Sequence, residues 1–162
     1  MNHTVYISSR LRGEKVESNV IAIIEKAVLY TLKSEKTSES EVSVSIVSKW
    51  KIQSLNKKYR GKNRPTDVLS FPMTDFDGEE DFAFEEEILL LGDVILCLDV
   101  IREHAEEYGV SYKSEIARMV IHSVLHLLGY DHENNVDMEQ IMYKKQEKIL
   151  KNFLKNEEIE AI

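Results

Sequence analysis

The stretch EILLLGDVILCL, residues 87–98, limits the fold more than any other part of the chain. It is apolar almost throughout. A strand of that kind is covered on both faces, so it reads as a buried central strand. Gly92 within it marks a bend or bulge. The 162 residues make one domain, with enough chain for a single sizeable core. Around the central strand the pattern alternates between the two periods. Ile21, Ile24, Val28 and Leu32 recur at helical spacing, which predicts an amphipathic helix over 18–34. VSVSIVS (42–48) alternates as a half-buried strand does. A first strand begins near Val5–Ile7, and residues 49–59 read as a second helix. Pro65 and Pro72 bracket a short strand, TDVLSF.

Further along, Asp99 is placed to cap a helix ending near Tyr108 at Gly109. Ser111 or Ser114 starts another, with Ile116, Met119, Val120 and Val124 on its apolar face. A last long helix runs from about Val136. No apolar run reaches the roughly 18 residues of a membrane span, which predicts no membrane partner. MNHTVYISSRLRGEK at the start has no apolar signal-peptide core. The single Cys97 cannot close an internal disulfide and reads as a core residue. These features predict a cytoplasmic protein.

Three of the five histidines fall in HSVLHLLGYDH, residues 122–132. On a helix His122 and His126 are rotated by about 40° net, one turn apart, so one metal ion can take both. Gly129 can adopt a left-handed conformation and end the helix, which lets His132 swing back as a third ligand. A helix continued to 132 would point it the wrong way, at about 240° net. Three imidazoles with one open position describe a catalytic zinc site, whose bound water has a pKa lowered towards about 7. Nickel and copper also bind imidazole.

The spacing is that of a zinc peptidase, but Ser123 stands where the peptidase carries its glutamate base. A serine hydroxyl cannot take that proton. Phosphodiester cleavage in RNA offers a different chemistry, in which a metal and a cation stabilise charge on the phosphate. The cation has an evident source. The net charge is −8, yet Lys49–Arg64 holds seven basic residues and no acidic one, whereas Asp75–Glu87 holds eight acidic residues and no basic one.

At this point the chain resembles the YbeY family of bacterial endoribonucleases. HSVLHLLGYDH is similar to the family's H-G-x-L-H-L-x-G-Y-D-H, and LNKKYRGKNRPTDVLSFP (55–72) to its L-N-x-x-Y-R-x-x-x-x-P-T-D-V-L-S-F-P block. LGDVILC (91–97) and EEYGVSYKSEIARMVIH (106–122) fit the pattern between. The resemblance implies one α+β domain over 1–162, zincin-like, with a mixed, mostly four-stranded sheet and about five helices. It implies His122, His126 and His132 as ligands of one zinc ion and Arg60 as the catalytic or phosphate-binding residue. The implied activity is single-strand-specific, metal-dependent cleavage of ribosomal RNA at the small-subunit 3′ end, with a role in ribosome quality control. The implied partners are the small ribosomal subunit and assembly factors such as the GTPase Era. Ser123 departs from the family's glycine. Its hydroxyl could bond back to a helix carbonyl or narrow the approach to the metal.

Lys57, Lys58, Lys62 and Arg64 can guide an RNA backbone. Asp131 can orient a ligand histidine, cap the turn or relay a proton. Asp67 reads as a local structural residue at a strand start, Tyr130 as packing, and Asp93 as an acid that needs a partner. Two other functions fit the same motif: a metallopeptidase or other zinc hydrolase, and a non-catalytic ribosome-assembly module stabilised by its metal.

Overall fold

A computed structural model describes residues 2–73, 88–131 and 135–162. Elements follow in the order β1 (Thr4–Ser9), α1 (Ser18–Ser34), β2 (Ser40–Ile46), α2 (Lys49–Arg60), β3 (Val68–Pro72), β4 (Leu89–Leu96), α3 (Leu98–Tyr108), α4 (Tyr112–Leu127) and α5 (Val136–Asn156). Among the described residues the strands form one sheet in the order β1-β2-β4-β3. β1, β2 and β4 are parallel, and β3 runs antiparallel on the outer side of β4. The apolar run thus occupies an interior strand, as its composition requires.

Alternation decides which helices cover which face. In β2, Val42, Val44 and Ile46 are buried and the residues between them are half-buried. They join Val94 and Leu96 of β4 in the main core beneath α1, α4 and α5. Each such aliphatic side chain contributes about 1.5–3 kcal/mol through burial. The opposite face is smaller. Leu69, Cys97 and Val100 pack there with Ile52 of α2. The edge strand β3 therefore has α2 on one face and α4 on the other. Burial raises the Cys97 thiol pKa above its ordinary value, which keeps it a packing residue.

Gly92 shows why the central strand needs a glycine. Its φ is +140°, and a Cβ there would sit 2.2 Å from the Phe71 carbonyl oxygen and 3.1 Å from Leu127 Cδ2 of α4. The β2–β4 register shifts between Glu41 and Val42, opposite Leu90 and Gly92. The bulge lets α4 close down on the end of β3.

Tertiary pairing moved several ends. β1 extends over Thr4–Ser9 because it pairs with β2 along its whole length. β3 begins at Val68, and the Asp67 carbonyl accepts from Cys97 N–H at 2.9 Å. Asp99 is not the cap of α3. Cys97 occupies that position in an extended conformation without a side-chain bond, and Asp99 lies in the first turn, where its charge complements the helix dipole. Ser111, rather than Ser114, caps α4, its hydroxyl accepting from Ser114 N–H at 3.1 Å.

Candidate metal centre

Helix α4 is the most enclosed element, packed on α1, α3, α5, β3 and β4. Its last two turns carry His122 and His126, both half-buried. The helix ends as the glycine predicts. Gly129, at φ +100°, donates to the His126 carbonyl at 3.0 Å, and Tyr130 N–H donates to the Leu125 carbonyl at 3.1 Å. This crossed pair is a Schellman motif. The chain beyond it is braced. The Tyr130 hydroxyl donates to Glu35 at the end of α1 at 2.9 Å, and Lys145 of α5 reaches the same carboxylate at 3.1 Å. Tyr130 therefore does more than pack. Asp131 is exposed immediately after it. His132 and the acidic stretch 75–87 lie outside the described residues.

The two placed histidines converge. His122 Nε2 and His126 Nε2 are 3.0 Å apart. Two nitrogens bound tetrahedrally to one zinc at 2.0–2.1 Å would be about 3.3 Å apart, so the pair already has nearly the required span. Tautomer is settled from α5. His122 Nδ1 lies 2.7 Å from Gln146 Oε1, an oxygen that can only accept, so Nδ1 carries the proton and Nε2 presents its lone pair. The Gln146 amide is oriented in turn by Glu147, which accepts from its Nε2 at 3.4 Å. Glu147 pairs closely with Arg118, and Arg118 Nε lies 3.3 Å from buried Glu115. Burial raises the Glu115 pKa, with the Arg118 charge opposing. These donors fit a metal ion. Gln146 holds the His122 ring in one orientation, a role that the sequence assigned to no residue of α5.

Ser123 does not face the approach to the histidines. It is fully buried, and its hydroxyl makes no hydrogen bond among the described residues. Thr31, by contrast, does bond back to the Ala27 carbonyl, at 2.7 Å. Both expectations for Ser123, back-bonding and a narrowed approach, are thus set aside. Asp67 pairs with His104 Nδ1 of α3 at 3.2 Å, in keeping with a structural role.

Arg60 is the last residue of α2. It is exposed, as are Lys57, Lys58, Lys62 and Arg64. Tyr59 beside it stacks edge-on to Phe71 of β3 with ring centroids 5.2 Å apart. Leu127, beside His126, lies over Gly92 next to the Phe71 carbonyl. Buried Asn56 ties down the basic loop, donating to the Arg64 carbonyl at 2.9 Å, while its own carbonyl accepts from Lys62 N–H.

The sequence model of the family described as Endoribonuclease YbeY matches residues 6–154. The chain belongs to the endoribonuclease YbeY family. A protein named Endoribonuclease YbeY from Caldanaerobacter subterraneus is 44% identical over 145 residues, covering 86% of this chain and 91% of that one. Its counterpart in Clostridium botulinum is 38% identical over 162 residues, covering 92% and 97%. A solution structure of a protein from Thermotoga maritima superimposes with a TM-score of 0.63 at 29% identity, covering 94% of this chain and 90% of that one. The YbeY resemblance noted from two motifs thus extends over nearly the whole chain.

Proposed function

We propose that this chain is a metal-dependent, single-strand-specific endoribonuclease that matures the 3′ end of small-subunit ribosomal RNA and serves ribosome quality control. The observation that carries the reading is the convergence of two imidazole nitrogens, 3.0 Å apart, in a chain of the endoribonuclease YbeY family. His122, His126 and His132 hold one zinc ion. When bound, the ion supplies a Lewis acid beside the scissile phosphate.

The chain's own residues do the rest. Gln146 keeps His122 in the tautomer that donates its Nε2 lone pair. Arg60 donates to the phosphate oxygens and stabilises the charge that develops on them. Lys57, Lys58, Lys62 and Arg64 neutralise the flanking backbone, and Asp131 orients a ligand histidine. Ser123 supplies no base, being buried away from the site. The working partners are the small ribosomal subunit and assembly factors such as the GTPase Era, in the cytoplasm; no helix among the described residues is long and apolar enough to cross a membrane.

Cleavage of a small-subunit RNA precursor by wild type, His126→Ala and Arg60→Ala, with metal content measured alongside, tests the reading. Both variants are expected to lose cleavage, and only His126→Ala to lose metal. Unchanged cleavage in both would overturn it. A 2′,3′-cyclic phosphate end would identify the ribose 2′-hydroxyl as nucleophile.

A further inference from the structure

We propose that Trp50 is a stacking platform for a base of single-stranded RNA, on the outer face of α2. The inference rests on the endoribonuclease reading and adds to it a binding position remote from the histidines. Trp50 is 77% exposed. Burial does not explain a side chain of that size left in water, because the core on this face is made by Ile52, which is fully buried.

Helical geometry shows what surrounds it. Relative to Trp50, Ser54 is rotated by about 40°, Lys57 by about −20° and Lys58 by about 80°, whereas Ile52 lies at about 200°, facing the sheet. Trp50, Ser54 and Lys57 therefore form one stripe on the solvent side, with Lys51 and Lys58 along its flank. All five are exposed. Lys57 is about 10 Å and Arg60 about 15 Å farther along the axis than Trp50. A strand entering at Trp50 would meet Lys57 on its way to Arg60, with Lys58 on the other flank.

The chemistry of this face selects the occupant. A protein-binding tryptophan sits in an apolar patch from which lysine is depleted. Here the exposed neighbours on the helix are lysines and a serine, and residues 49–64 hold no acid. Lys49 is already paired with Glu103, so that carboxylate is neutralised. An aromatic face among exposed cations is how nucleic-acid proteins hold unpaired bases without reading sequence. The stripe is therefore matched to single-stranded RNA.

Trp50 is the sole tryptophan of the chain, so its intrinsic fluorescence reports this position alone. In a titration with a short mixed-sequence oligoribonucleotide, emission is expected to be quenched saturably. Inorganic polyphosphate, which has charge but no bases, is expected to leave it unchanged. Trp50→Ala is expected to weaken RNA binding about 5- to 150-fold, with Trp50→Phe recovering most of the loss and both variants melting as wild type does. RNA binding with unchanged emission, equal quenching by polyphosphate, or wild-type affinity in Trp50→Ala would each overturn the platform and leave this face to a protein partner. Cleavage separates the two proposals. Wild-type cleavage with a silent Trp50 removes the platform alone. Quenching by RNA, with cleavage unaffected in His126→Ala and Arg60→Ala, removes the catalytic reading and keeps the platform.

Discussion

Replacing Gln146 by leucine tests the assembly of the metal centre without touching a ligand. Leucine keeps the approximate shape of glutamine and removes the oxygen that accepts from His122 Nδ1 at 2.7 Å. Gln146 is only 6% exposed, so water does not readily replace that oxygen. A buried donor left without a partner costs about 1–3 kcal/mol. Loss of the partner that orients a ligand histidine typically weakens metal binding about 10- to 100-fold, equivalent to about 1.4–2.7 kcal/mol. The first figure is a penalty on folding and the second a loss of metal affinity, so melting and zinc competition read them separately. The assay is zinc competition against a chromogenic chelator, with thermal melting of metal-free and metal-loaded protein. The zinc dissociation constant is expected to rise 10- to 100-fold, and the gap between the two melting temperatures to shrink. Gln146→Glu, which retains an acceptor for Nδ1–H, is expected to bind zinc more tightly than the leucine variant. A folded Gln146→Leu protein with wild-type zinc affinity would refute the reasoning.

Three more outcomes follow from the same structure. Gly92→Ala should destabilise the fold by at least about 2 kcal/mol, from left-handed strain and overpacking together, read by urea denaturation; a loss within about 0.5 kcal/mol would contradict the 2.2 Å approach to Phe71. Ser123→Ala should stabilise by about 1–2 kcal/mol, since it removes an unsatisfied buried hydroxyl and improves helix propensity, and zinc affinity should stay unchanged in a chelator competition. Burial raises the Glu115 pKa, so the native state holds this proton more tightly than the unfolded chain does. Its contribution to stability is then present below the ordinary carboxylate range and is lost as pH rises through the raised value. Glu115→Gln should therefore gain in melting temperature over wild type from pH 4 to pH 8; a gap that is flat across that range would count against it.

The readable parts of the sequence are those where one physical pattern repeats locally. Residues 18–34 form a helix over that span because Ile24, Val28 and Leu32 return to the core every turn. HSVLHLLG carries its own geometry, two histidines one turn apart and a glycine that stops the helix. What the sequence hides is what one segment does for another. Gln146 is a single polar residue on an amphipathic helix, and only the packing of α5 against α4 puts its oxygen on His122, 24 positions away. Asp67 meets His104 across 37 positions, a pairing that no local pattern announces. Strand ends shifted for the same reason, since the partner decides how far a ladder runs. No local pattern singles out Trp50, because exposure belongs to the folded surface and has no signature in the residue itself.

The brace around Tyr130 bears on when the site comes into being. Glu35 is 95 positions from Tyr130 and 110 from Lys145. Contacts that distant close only after most of the chain's entropy has been given up, and a chain is made from its N-terminus. The turn at Gly129 and Tyr130 is thus held by a helix made early and another made about a hundred positions later. On the proposed function this protein is synthesised by the same kind of particle whose RNA it cuts. Until α5 has emerged and docked, Gln146 is absent from His122 and Lys145 from Glu35. A nascent chain that has not yet made α5 therefore carries its basic α2 without the Gln146–His122 and Lys145–Glu35 contacts.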